Sequence, residues 1–135
     1  MKYLQNTASW LIALFLIVLS GCNQKPAGEH TFTISDKTFL LDGKPFVIKA
    51  AEIHYTRIPA EYWEHRIQLC KALGMNTICI YAFWNIHEQK PGEFDFSGQN
   101  DIAAFCRLAQ KYDMYIMLRP GPYVCSEWEM GGLPW

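Results

Sequence analysis

The chain has 135 residues, enough for one small domain and too few for two. Half of the residues are hydrophobic and 19% are charged, a composition that excludes a solvated, disordered polymer. The net charge is −1 and no basic run is present, which disfavours nucleic-acid binding because that function needs clustered cations. Aromatic residues make up 15% of the chain, more than a core of this size usually requires, so their positions are the first clue to function.

The amino-terminal segment has the pattern of an export signal. Its apolar run over residues 10–19 has about half of the roughly 20 residues that a membrane-spanning helix needs. Small residues directly before Cys22 resemble the processing box of bacterial lipoproteins. We therefore predict a lipoprotein signal peptide over residues 1–21, lipidation of Cys22 and a flexible tether over residues 22–30. The mature protein is then expected outside the cytoplasm, in the periplasm or at the cell surface, anchored to a membrane; an ordinary secretory signal is the alternative.

Short strands and helices alternate after the tether. Asp42-Gly43 lies between two apolar runs and predicts a hairpin, and residues 46–51 are expected to continue as a strand. A helix is predicted to open near Pro59 and to stop at Gly74. Its apolar positions, spaced four, three and three residues apart, are Trp63, Ile67, Cys70 and Leu73.

A second strand–helix–strand unit follows. Residues 77–81 form an apolar, β-branched run that is typical of a strand buried on both faces. After a long loop over residues 82–99, a second helix is predicted with Asn100 as its cap, and residues 115–118 are predicted to form a third strand. The apolar face of that helix consists of Ile102, Phe105, Cys106, Ala109 and Tyr112.

This order predicts an α/β fold built from parallel βα units. A doubly wound sheet is disfavoured because residues 50–55, after the first parallel strand, contain no glycine for a phosphate-binding turn. The remaining architecture is a (β/α)8 TIM barrel, of which only the first three or so βα units are present. A barrel takes about 250 residues, so residues 31–135 are expected to be the truncated amino-terminal part of a catalytic domain.

Acids, amides and aromatic rings follow the three predicted strands, a combination that suits sugar binding because rings stack on C–H faces while polar groups take the hydroxyls. Arg119 is expected to pair with a carboxylate such as Glu52 or Glu88, with direct substrate contact as the alternative. Glu127 and Glu129 are one residue apart, so spacing alone leaves a paired-carboxylate role open. These strand-end residues are Glu52, His54, Tyr55, Tyr81, Trp84, Asn85, His87, Glu88, Arg119, Tyr123, Glu127, Trp128 and Glu129.

A metal site is not predicted. His54, His87 and Glu88 lack the helical spacing that would place two imidazoles on one face, and adjacent His and Glu side chains point apart. No two cysteines form a CxxC pair, so neither a zinc ribbon nor a dithiol redox site is indicated. Hydrogen-bonded histidines and acids in a polar barrel mouth are the favoured interpretation.

Five ordered motifs together resemble the β-galactosidases of glycoside hydrolase family 35. The resemblance implies a (β/α)8 barrel that releases terminal β-linked galactose with retention of configuration, without a metal or organic cofactor. The motifs are Leu41-Asp-Gly-Lys-Pro-Phe46, Ala51-Glu-Ile-His-Tyr55, Tyr81-Ala-Phe-Trp-Asn-Ile-His-Glu88, Pro91-Gly-Glu-Phe-Asp-Phe96 and Arg119-Pro-Gly-Pro-Tyr-Val-Cys-Ser-Glu-Trp-Glu-Met-Gly-Gly-Leu-Pro134.

The same resemblance assigns site residues. Tyr81, Cys125, Ser126 and Glu127 are expected to hold the sugar: Glu127 accepts hydrogen bonds from its hydroxyls, Tyr81 donates or stacks, and Ser126 contributes mainly its backbone. Both catalytic glutamates are expected beyond residue 135. Ser126 stands where the family usually has Ala, and Gln89 replaces a common Pro.

The predicted partner of the protein is a carbohydrate, and three functional hypotheses follow. The first is an exo-β-galactosidase attached to a membrane through Cys22. The second is a lipoprotein that binds glycans without hydrolysing them. The third is that the 135-residue chain is itself an inactive, truncated product.

Overall fold

The computed structural model describes residues 30–125 and 128–134. These residues fall into two compact units, one that ends at Phe46 and one that begins at Val47. The predicted signal peptide, the tether up to residue 29 and Cys22 lie outside the described residues. Within the described part of the chain, no helix is long and apolar enough to cross a membrane.

The first unit is an antiparallel sheet of three strands, β1 (Phe32–Ser35), β2 (Thr38–Leu41) and β3 (Lys44–Pro45). The predicted hairpin is confirmed: Asp42 and Gly43 both have positive φ, 51° and 74°, which matches the twist of the strands they connect. The Asp42 carboxylate also accepts a hydrogen bond from the backbone N–H of Thr31 at 2.9 Å, which with the His30 contact lowers the pKa of Asp42. A second two-residue turn, at residues 36–37, was not predicted.

The second unit contains a parallel sheet with the strand order β4 (Ala50–Glu52), β5 (Thr77–Tyr81) and β6 (Tyr115–Arg119). The α/β class and the parallel pairing of these three strands are therefore confirmed. The described residues contain these two three-stranded sheets and no closed barrel.

Helices connect the parallel strands. Helix α1 (Trp63–Ala72) lies between β4 and β5, and the short helix α2 (Trp84–His87) and helix α3 (Ile102–Lys111) lie between β5 and β6. Ile67 of α1 and Phe105 of α3 share a buried cluster with Ile78 and Ile80 of β5. The helices therefore cover the face of the sheet to which these isoleucines point.

The carboxyl end of α1 forms as predicted. Gly74 has a φ of 80°, its N–H donates to the carbonyl of Lys71 at 2.9 Å, and the N–H of Met75 donates to the carbonyl of Cys70 at 3.1 Å. This pair of hydrogen bonds satisfies carbonyls that the end of a helix leaves unpaired, and it requires the left-handed backbone that glycine adopts without strain.

Two boundaries differ from the prediction. The strand expected over residues 46–51 covers only Ala50–Glu52, because the Asn76 side chain holds the preceding residues: its amide donates to the carbonyl of Val47 at 2.8 Å and accepts from the N–H of Lys49 at 2.9 Å. Helix α1 begins at Trp63, after a 3₁₀ turn over Ala60–Tyr62.

The two long helices are joined by a surface contact. Glu64 of α1 accepts hydrogen bonds from the Lys111 ammonium at 2.7 Å and from the Tyr112 hydroxyl at 2.5 Å. These two bonds lower the pKa of Glu64. Because the pKa of Glu64 is lower in the folded protein than in the unfolded chain, the stabilisation is present at neutral pH. It is lost as the pH falls through the pKa of Glu64 in the folded protein.

The cap of α3 is Asp101, one residue after the predicted Asn100. The Asp101 carboxylate accepts a hydrogen bond from the N–H of Ala104 at 2.7 Å, whereas the Asn100 amide donates to Asp95 at 3.0 Å. Both types of side chain favour the cap position, so sequence alone does not choose between adjacent candidates.

We expect Asp101→Ala to destabilise the protein by about 1 kcal/mol, because the first turn of α3 loses its cap acceptor. Asp101→Asn keeps an acceptor oxygen and serves as the matched control. The measurements are hydrogen exchange at the Ala104 amide and the midpoint of urea unfolding. Equal exchange rates in Asp101→Ala and the wild type would contradict the assigned cap.

Candidate functional site

The carboxyl ends of the three parallel strands bring polar side chains to one edge and one face of the sheet. Glu52 is in register with Cys79, and Tyr81 is in register with Arg119, so strand alternation points these four side chains to the same side. This face is opposite to the one that the helices cover.

Glu52 connects two neighbours on this face. One of its carboxylate oxygens lies 3.0 Å from His54 Nε2, and the other lies 3.5 Å from an Arg119 guanidinium nitrogen. The predicted pairing of Arg119 with a carboxylate is therefore confirmed, with Glu52 as the partner. The alternative partner, Glu88, accepts hydrogen bonds from Trp84 Nε1 and from the N–H of Gly92.

Tyr81 lies beside this ion pair. The Arg119 guanidinium carbon is 4.1 Å from the centroid of the Tyr81 ring, and the His54 ring meets it edge-on at a centroid distance of 5.8 Å. Tyr81 is only 3% exposed. At that burial, no face of the Tyr81 ring is left open for a stacking partner.

Trp128 is held by several contacts. Its indole N–H donates to the Asn85 side-chain oxygen at 2.9 Å, and the Asn85 amide donates to the backbone carbonyl of Glu129 at 3.3 Å. The ring packs on Phe83 at 4.2 Å between centroids, and the Arg57 guanidinium lies 4.4 Å from its centroid. The chain that follows the predicted Cys125–Glu127 segment is thus anchored to α2.

Two glycines allow the chain after Trp128 to pack closely against the loop that follows β6. A Cβ on Gly131 would lie 2.3 Å from the Tyr123 ring, and one on Gly132 would lie 2.9 Å from Val124. The backbone N–H of Val124 donates to the carbonyl of Gly131 at 2.6 Å. A side chain at either glycine would disrupt this contact.

Tyr55 and His87 form a buried, hydrogen-bonded pair. His87 Nδ1 lies 2.9 Å from the backbone carbonyl of Asp95, which only accepts, so this nitrogen carries the proton. In the neutral ring, Nε2 then accepts the hydrogen bond from the Tyr55 hydroxyl at 2.5 Å. Burial raises the pKa of Tyr55 far above its usual value, so the hydroxyl remains protonated and can donate.

The predicted site residues are thus only partly described. Tyr81 lies in the strand-end cluster, and Cys125 is exposed with a free thiol. Ser126 and Glu127 lie outside the described residues, so their predicted sugar contacts stay predictions. The spacing argument about Glu127 and Glu129 stays open for the same reason.

No metal-binding arrangement occurs in residues 30–125 and 128–134. Nowhere in these ranges do three or more His, Cys, Asp or Glu side chains form a group that could hold a metal ion. Each candidate of the sequence analysis has another hydrogen-bond partner: His54 contacts Glu52, His87 contacts Tyr55 and the Asp95 carbonyl, and Glu88 contacts Trp84 and Gly92.

Sequence reasoning missed two residues that support the site. Gln99 accepts from the N–H of Ala60 at 2.9 Å and donates to the carbonyls of Tyr55 and Ile58, which fixes the loop after β4. Arg57 lies over Trp128. Neither residue has a local sequence signal, because both contacts join segments that are distant along the chain.

The comparisons with known proteins agree with the five motifs. The family model described as glycosyl hydrolases family 35 matches residues 38–135. The chain is 43% identical over 131 residues to a beta-galactosidase of Xanthomonas manihotis, covering 97% of the chain and 22% of that relative. It is 47% identical over 126 residues to the beta-galactosidase of Mus musculus, covering 92% and 20%.

A plant relative, beta-galactosidase 8 of Oryza sativa subsp. japonica, is 45% identical over 126 residues, covering 92% of the chain and 19% of the relative. The chain thus spans about a fifth of the length of the curated relatives it matches. The family match extends from β2 to the last residue and contains every strand-end contact described above. The chain therefore belongs to glycosyl hydrolase family 35.

Proposed function

We propose that the complete protein containing this chain is a retaining exo-β-galactosidase that removes terminal β-linked galactose from oligosaccharides or glycans. The observation that carries the proposal is the family 35 match over residues 38–135, together with relatives named beta-galactosidase that are 43–47% identical over more than nine tenths of the chain. The polar and aromatic strand-end cluster supports it, because such groups suit a sugar.

The fold supports a place for these residues in a (β/α)8 barrel. The strands follow one another in chain order without reversal, and the helices lie on one face of the sheet. The other face carries Glu52, Tyr81 and Arg119, which would be unusual beneath the apolar helices of a doubly wound sheet and suits a polar barrel interior. We propose that residues 31–135 supply the first three βα units.

Within this proposal, Tyr81, Cys125, Ser126 and Glu127 hold the galactose, and the two catalytic carboxyl groups come from outside these 135 residues. Retention requires two carboxyl groups about 5–5.5 Å apart, one that forms a glycosyl intermediate and one that transfers the proton. The described residues contribute sugar binding and orientation, which raise the rate by holding the glycosidic bond in position.

The function is tested by incubating the complete protein with an aryl β-galactoside and with the matched α-galactoside. We expect release of the aryl alcohol from the β-anomer alone, and β-galactose as the first sugar product by NMR. Binding of the β-galactoside without release would support the glycan-binding hypothesis instead, and α-galactose as the first product would contradict retention.

Glu127→Gln is expected to lower kcat/KM about ten- to hundredfold, with effects on both kcat and KM. The physical reason is the loss of a hydrogen bond to a charged acceptor, which is worth about 1.5–3 kcal/mol. Glu61→Gln is the matched control, because it makes the same change at an exposed acid outside the strand-end residues. Unchanged kinetics of Glu127→Gln would remove Glu127 from the sugar site, and equal losses in both variants would contradict a role specific to Glu127.

We further propose that the protein is a membrane-anchored lipoprotein with its lipid on Cys22. In cells supplied with a labelled fatty acid, the wild type should incorporate label and fractionate with membranes, and Cys22→Ala should lose both properties because the acyl chains that bury in the bilayer are absent. Cys125→Ala is the matched control and should behave as the wild type. Label in Cys22→Ala would contradict the assignment.

A further inference from the structure

Glu52 is the common partner of the two side chains that border the Tyr81 ring. Its carboxylate contacts His54 through one oxygen at 3.0 Å and Arg119 through the other at 3.5 Å. The Arg119 guanidinium lies 4.1 Å from the centroid of the Tyr81 ring, and the His54 ring forms a T-shaped contact with that ring at 5.8 Å between centroids. One carboxylate therefore contacts two groups that both touch the Tyr81 ring.

The contact between Arg119 and Tyr81 needs this orientation. The Arg119 side chain is half exposed, at 50%, and a long exposed guanidinium has many rotamers unless a partner limits them. An exposed ion pair adds little to global stability, whereas a cation held over an aromatic face is attracted to the ring. The effect of Glu52 is thus expected on the placement of Tyr81 more than on the stability of the fold.

No equivalent acid replaces Glu52 among the neighbouring described residues. The two oxygens of Glu88 accept from Trp84 Nε1 and from the backbone N–H of Gly92, and Glu88 is 7% exposed. Its carboxylate is therefore already hydrogen-bonded to α2 and to the loop that follows it. Among the described residues, Glu52 is the acid that contacts both Arg119 and His54.

We propose that Glu52 is a positioning residue for Tyr81: through Arg119 and His54 it fixes the phenolic hydroxyl that binds the galactose unit. This inference rests on the proposed function, in which Tyr81 is one of the sugar-binding residues. Glu52 itself need not touch the sugar. Its role is a specific effect on substrate affinity, transmitted to Tyr81 through Arg119 and His54.

The test is a double-mutant cycle in the complete protein with Glu52→Gln, which keeps the shape of the side chain, and Tyr81→Phe, which keeps the ring and removes the hydroxyl. KM and kcat are measured with an aryl β-galactoside, and the dissociation constant of free galactose is measured by calorimetry. Glu61→Gln, at an exposed acid outside the cluster, is the matched control for the loss of charge.

Glu52→Gln should raise KM and the galactose dissociation constant about fivefold, the factor to which roughly 1 kcal/mol corresponds, with kcat changed less than about twofold. In the Tyr81→Phe background the same substitution should have no further effect, because the hydroxyl it positions is absent. Glu61→Gln should match the wild type. A crystal structure of Glu52→Gln should show the Arg119 guanidinium moved away from the Tyr81 ring and the phenolic hydroxyl shifted.

Equal effects of Glu52→Gln in the two backgrounds would overturn the inference, since a general loss of stability adds to any other change. Wild-type affinity in Glu52→Gln would overturn it as well. If either result is found while the wild type still hydrolyses the galactoside, the proposed function stands. A wild-type protein that neither hydrolyses the galactoside nor binds galactose would overturn the proposed function and this inference together.

Discussion

The strand-end region depends on the hydrogen bonds of the four-residue helix α2. A helix of one turn has no stability of its own, so its side-chain contacts keep it in place. His87 contacts the Tyr55 hydroxyl and the Asp95 carbonyl, and Asn85 contacts the Trp128 indole and the Glu129 carbonyl. The Tyr55–His87 hydrogen bond is buried, and an unpaired buried polar group costs about 1–3 kcal/mol. Together the four contacts tie three segments to α2: the chain after β4, the loop before α3 and the chain at Trp128.

The two faces of the parallel sheet are chemically different. On the covered face, Ile78 and Ile80 are fully buried in the helix-packed cluster, and this burial stabilises the unit without any polar requirement. On the other face, Glu52, Tyr81 and Arg119 interact mainly through charge and ring electrostatics. Substitutions on the first face should therefore reduce stability, whereas those at Glu52 or Arg119 on the second should mainly disturb the contacts with the Tyr81 ring.

Local patterns in the sequence predicted most elements, because each element has a signal within its own residues. Gly74 and the Asp42-Gly43 turn are such signals, because few residue types readily adopt the positive φ found at these positions. The choice between Glu52 and Glu88 as the partner of Arg119 had no local signal. The choice depends on the strand register and on the hydrogen bond from the Gly92 N–H to Glu88. Neither can be read from the types of residue that follow the strands.

The aromatic surplus of the sequence has two physical roles. Tyr55, Phe83 and Phe105 are completely buried, and Phe83 forms the floor on which Trp128 packs. These rings form the rigid base of the strand-end region, and the hydroxyl, indole N–H and imidazole groups at its margin carry the directional contacts. Hydrogen bonds discriminate between ligands only when the protein groups that make them are held at fixed distances, so a buried base of this kind suits the proposed sugar site. Tyr81 belongs to the same buried cluster, and its ring also contacts Arg119 and His54 at the margin.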